Sequence, residues 1–172
     1  METKQMIDNR LSTLVFLYDS HSTLYVNAIE GISDNDTHNR LNTKANHIAW
    51  IAGSIVHSRY ELAYALGVDR EEFKENTSSY ELFKDFKGIQ DKAKYPTLDV
   101  YRSDWKRITP ALKDQLGNLS DDQLNGPDPF EMGKDVTLLD SITFLIDRES
   151  YCIGQLGLFR RLLGYEAMKY TN

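Results

Sequence analysis

Residues 147–164 read DRESYCIGQLGLFRRLLG, and their apolar periodicity makes them the body of the last long amphipathic helix of the chain. Arg148 and Cys152 stand four residues apart in this stretch, so their side chains share one face. Working outward, Thr137 offers an N-cap for a helix running from there to about Gly164. Before it, SDDQLNGPDPFEMGKD is a connector rich in turn formers. Further back, Leu98, Tyr101, Trp105, Ile108, Leu112 and Leu116 are in register for a helix over Thr97–Leu116, in which Pro110 predicts a kink or a fresh start.

The N-terminal half repeats the pattern. Ile7, Leu11, Leu14, Tyr18, Tyr25 and Ala28 recur at three- and four-residue intervals, so a first helix is expected from about Lys4 to Glu30, with His21 in its inner stripe and Gly31 as its stop. After the polar turn SDNDTHNRLN, where His38 is expected to be solvated, a second helix is predicted over Thr43–Leu66, ended by Gly67. Ala45, Ile48, Ala52, Ile55, Arg59, Leu62 and Leu66 form its core stripe, with His47 at the flank. Ala49, Trp50, Gly53, Tyr60 and Tyr64 make a second, aromatic face, which points to a central helix or to a partner surface. His57 points away from the main stripe, in a structural role or none. Residues 68–96 hold no long period beyond the short amphipathic piece SYELFKDFKGI.

Four long amphipathic helices without an alternating strand run predict an all-α fold, a four-helix bundle in a single domain over 1–172. A short first link predicts that helices one and two pair antiparallel. The second link, of about thirty residues, is long enough to cross the bundle or to cover a site.

Composition narrows the function classes. One cysteine excludes an internal disulfide framework and a Cys-pair zinc knuckle, which suits a reducing, cytoplasmic location. No apolar run approaches a membrane span, and the start METKQMIDNRL lacks a signal-peptide core. With net charge −6 and no basic stripe beyond Arg160-Arg161, the footprint of a nucleic-acid binder is missing. Neither a membrane nor a nucleic acid is expected as a partner.

The paired stretches NHIAWIAGS and RESYCIGQLGLFRRLLG resemble the DinB/YfiT-like superfamily of metal-dependent four-helix bundles, and the long second link fits that plan along the chain. The resemblance implies a divalent metal, zinc or nickel, held by one His early in helix two and by a His-x-x-x-His pair in the last helix. His47 matches the first position; Arg148 and Cys152 occupy the other two. Arg has no acceptor lone pair and a fixed positive charge, so Arg148 cannot ligate a cation and repels one. Cys152 as thiolate would suit zinc, but with His47 it makes only part of a ligand shell, and His21 is the only further candidate histidine. No metal is therefore expected at these positions, and the site reads as degenerate.

What remains is a ligand-binding set: His47, Arg148, Cys152, His21 and Tyr151. A lone Cys on an apolar face reads as a small buried hydrophobe, although Arg148 beside it would favour thiolate. A guanidinium among Phe144, Leu145, Tyr151 and Cys152 needs a negative partner, either an acid on another helix or a bound carboxylate or phosphate. Glu149 is next in sequence but diverges on a helix and should not pair with it. The resulting expectation is a small-ligand or structural protein, as a homodimer joined through Trp50, Tyr60 and Tyr64. The alternative is a thiol-dependent S-transferase in which Arg148 holds a small thiol or carboxylate in the metal's place.

Overall fold

A computed structural model describes residues 9–171. It is all-helical, with α1 Asn9–Ile29, α2 Ile48–Ala65, α3 Thr77–Phe83, α4 Leu98–Gly117, α5 Asp121–Leu124 and α6 Leu138–Leu162. The 3-10 turn Lys84–Phe86 extends α3, and the described residues contain no strand, only an isolated bridge between Pro127 and Thr137. The expected start of helix one at Lys4 lies outside the described residues. No helix among them is long and apolar enough to cross a membrane.

The helix ends follow local chemistry. Gly31 and Gly67 take φ of +70° and +97°, the left-handed turn that stops α1 and α2. Thr137 caps α6 through a reciprocal box: its hydroxyl accepts the Asp140 N–H, and Asp140 Oδ2 accepts the Thr137 N–H at 2.9 Å. Helix α2 begins later than periodicity predicts. His47 is its N-cap, with an extended backbone and Nδ1 accepting the Trp50 N–H at 3.0 Å, while residues 43–46 stay irregular. Pro110 does not break α4, which runs through it, with Pro110 and Lys106 four residues earlier both on the exposed side.

Each long helix packs closely on two others: α1 on α6 and α4, and α2 on α4 and α6. Helices α1 and α2 are thus not the close pair that a short link implied, because the later start of α2 lengthens that link to residues 30–47. They meet instead across the core, where Tyr25 Oη reaches Ala52 O at 3.5 Å. One contiguous cluster joins Leu11, Tyr25, Ile48, Ile55, Tyr101, Trp105, Ile142 and Leu156. The aromatic face of α2 is covered from within. Tyr60 is fully buried with its hydroxyl on Asp104 O, and Gly53 faces the rings of Tyr101 and Phe83. The expected dimer seam at Trp50, Tyr60 and Tyr64 is therefore mostly internal packing, since the short α3 and its turn fold back over α2.

An ion pair sits at the centre of this core. Arg59 meets Glu149 through two parallel bonds of 2.6 and 2.9 Å, gives its remaining donors to Ser22, Thr109 and Tyr18 O, and stacks against Tyr18 and Trp105 at 3.8 and 3.4 Å. Burial would raise the Glu149 carboxyl, but the Arg59 charge and hydrogen bonds prevail and hold it below its ordinary range. Removing one member of such a pair costs about 3–5 kcal/mol.

Candidate functional site

The three positions that the resemblance assigns to a metal do not converge as ligands. His47, almost fully buried, packs tilted against His38 and edge-on to Tyr95, with ring centroids 4.7 and 4.8 Å away. Because Nδ1 accepts the Trp50 N–H, the neutral ring carries its proton on Nε2, the atom a metal would need. Burial, followed by the neighbouring His38, lowers its pKa to about 4. Cys152 is buried, and burial pushes its thiol up against the opposing pull of Arg148, so the thiolate favoured by that neighbour is suppressed. Among the described residues no group of three potential ligands includes His47 or Cys152. The family metal does not fit here.

His21 goes elsewhere too. Its Nδ1 lies 3.4 Å from Glu149 Oε2, so it belongs to the Arg59–Glu149 network. His38 is exposed as expected, though its Nδ1 keeps a 3.0 Å contact with Thr37 Oγ1.

Arg148 is the residue around which a site does form. It projects from α6 to α2, where Nη1 donates to Ser58 Oγ at 2.9 Å and Nη2 to Ser54 Oγ at 3.2 Å, with Ser54 O at 3.5 Å from Nη1. No carboxylate among the described residues pairs with it. The acid on another helix that its charge invited is not found among the described residues: Glu149, its neighbour on α6, turns away to pair with Arg59, the residue after Ser58 on α2. Two hydroxyls orient the guanidinium without neutralising it, which leaves Nε–H and one Nη2–H without an acceptor among the described residues.

Two clefts open on this group. One, of about 240 Å³, is bounded by Trp50, Ser54, His57, Ser58, Phe83, Phe86, Lys87 and Arg148. Its lining holds two cations and no carboxylate, between aromatic walls. The other, of about 340 Å³, lies toward Asn46, Phe144, Tyr151, Cys152 and Gln155, and Asp147 on its rim opposes an anion there. Tyr151, largely exposed, belongs to this second cleft, as does Cys152.

A further cluster was not foreseen from the sequence. His57 is buried, and its Nδ1 lies 2.8 Å from Glu75 Oε1; Glu61, one turn on in α2, completes a group whose ligand-capable atoms all lie within 4.8 Å of one another. These three could hold a metal ion. The signal available was the His-x-x-x-Glu spacing of His57 and Glu61 on one helix face; Glu75, from the loop before α3, had none.

No family model matches the chain, and no curated protein matches it with significance.

Proposed function

We propose that this chain is a DinB-like four-helix bundle, one domain over 1–172 with its long link between the second and third long helices, in which the metal positions have been given over to anion binding. It binds a small carboxylate with a flat or apolar body in the cleft between Arg148 and Lys87. The observation that carries this reading is the half-buried Arg148 guanidinium, fixed by Ser54 and Ser58 yet without a carboxylate partner, facing an aromatic-walled cleft free of acids. The fork would grip a carboxylate through two parallel bonds while Trp50, Phe83 and Phe86 cover its body. Small thiols that carry a carboxylate fall within the same class, which keeps the S-transferase relation open through the bound ligand and not through Cys152.

Thermal shift against a panel of aromatic carboxylates, mercapto-acids and inorganic phosphate tests it. A ligand at 100 times its dissociation constant should stabilise by about 2.7 kcal/mol, about 5–10 °C for a domain of this size. Arg148→Met should abolish the shift. A flat response across the panel would remove the reading.

The homodimer is part of the same proposal, with a different seam. Phe144, Tyr151, Leu158 and Leu162 lie exposed along α6 at seven- and four-residue spacing, the pattern of a helix–helix contact. Sedimentation should give a dimer that Leu158→Glu converts to monomer; a monomeric wild type contradicts it.

A further inference from the structure

The cluster of His57, Glu61 and Glu75 has a chemistry of its own. Helix α2 places His57 and Glu61 on adjacent turns, and the chain after Gly67 returns Glu75 against them. Glu75 is nearly fully buried, and only one of its oxygens is used: Oε1 meets His57, whereas Oε2 is enclosed with no hydrogen-bond partner. Oε1 of Glu61 is likewise enclosed without a hydrogen bond, with Arg70 Nη1 standing off at 3.5 Å from a largely exposed side chain. Two carboxylates brought this close are mutually unfavourable unless a positive charge lies between them, and a buried oxygen without a partner costs about 1–3 kcal/mol. Burial pushes the Glu75 carboxyl above its ordinary range, against the opposing pull of His57. The surroundings keep the group rigid, with Tyr80 edge-on to the His57 ring at 5.4 Å.

We propose that His57, Glu61 and Glu75 form a binding site for a first-row divalent cation such as zinc, distinct from the degenerate family position on α2 and α6. One imidazole nitrogen and two carboxylate oxygens are the donor types such ions accept, and three protein ligands leave a coordination position open. Bonds of about 2.1 Å set tetrahedral ligand atoms about 3.4 Å apart, so the wider spacings within the 4.8 Å group close, and the 2.8 Å His57–Glu75 contact opens, by rotation of the carboxylates as the cation takes the place of the proton between His57 and Glu75. His57 and Glu61 also line a cleft of about 220 Å³, with Tyr80, Phe83, Lys84 and Asp85 among its other walls, from which a further ligand could reach the ion.

Zinc titration of tag-free protein stripped with chelator, read by calorimetry and by competition with a chromophoric chelator, tests the site. The expected result is one zinc per chain. Glu61→Gln and Glu75→Gln should each weaken binding at least ten-fold, and His57→Gln should do the same. Circular dichroism of each variant controls for folding, and Glu61, the least buried of the three, keeps the test available if a buried variant fails to fold. X-ray absorption should show nitrogen and oxygen neighbours without sulfur. His47→Ala, Cys152→Ser and Arg148→Met should leave the stoichiometry unchanged, which separates this site from the anion reading. No binding by the wild-type chain, sulfur in the coordination shell, or zinc that survives Glu61→Gln and Glu75→Gln undiminished would overturn the proposal.

Discussion

Single side chains decide which of the expected chemistries this chain can perform. His47 works as a helix cap only while unprotonated, since an imidazolium has no lone pair for the Trp50 N–H. Its pKa is lowered from 6.5 to about 4, so between those values the unfolded chain binds a proton that the folded chain refuses. Stability from this group is complete above pH 6.5 and is withdrawn as pH falls toward 4. Urea unfolding at pH 7.5 and pH 5 should show wild type losing about 1–2 kcal/mol more than His47→Asn, which keeps a capping acceptor but does not titrate. Parallel losses in the two proteins would contradict the assignment. Arg59 shows how a charge is read from a pattern. It stood in the core stripe of α2 beside Ile55 and Leu62, where a guanidinium must meet an acid. Its partner was not foreseen, although Glu149 continues the buried spacing Ile142, Leu145, Ile146, Cys152 and Ile153 on α6.

At the scale of elements, periodicity located all four long helices, because their buried stripes repeat at three and four residues, and α1, α2 and α6 stop at glycines in left-handed turns. It missed the true start of α2, where a histidine acts as cap, and it made too much of Pro110, whose side of α4 faces solvent. The second, aromatic face of α2 left a central helix and a partner surface both open, and it packs on the chain's own α3 and α4. At Gly53 the side chains of Tyr101 and Phe83 press directly on the backbone of α2. A Cβ there would meet Tyr101 Oη and lie 2.6 Å from Phe83 Cζ. Gly53→Ala should therefore destabilise by about 1–3 kcal/mol through overpacking, despite the roughly 1 kcal/mol that alanine gains in a helix. Chemical denaturation checks the sign, and a stabilised variant would show that the rings yield.

For the molecule as a whole, the helices are all-helical packing around a buried ion pair, with an uncompensated guanidinium one step outward from it. The candidate site was half legible. Arg148 announced itself as a charge in apolar company, but that Ser54 and Ser58 would answer it, and that Lys87 and Phe86 would arrive from the long second link, depends on a backbone path no periodicity encodes. The same link delivers Glu75 to His57, so both binding proposals rest on the segment with the weakest pattern. The central claim is that Arg148 replaces a bound cation with a bound anion, and calorimetric titration with the best carboxylate of the panel tests it most directly. Wild type should bind one ligand per chain, Arg148→Lys more weakly because the fork is lost, and Arg148→Met at least ten-fold more weakly, with affinity unaffected by chelator. Equal affinity in wild type and Arg148→Met, or binding that vanishes when chelator strips a metal, would contradict the account.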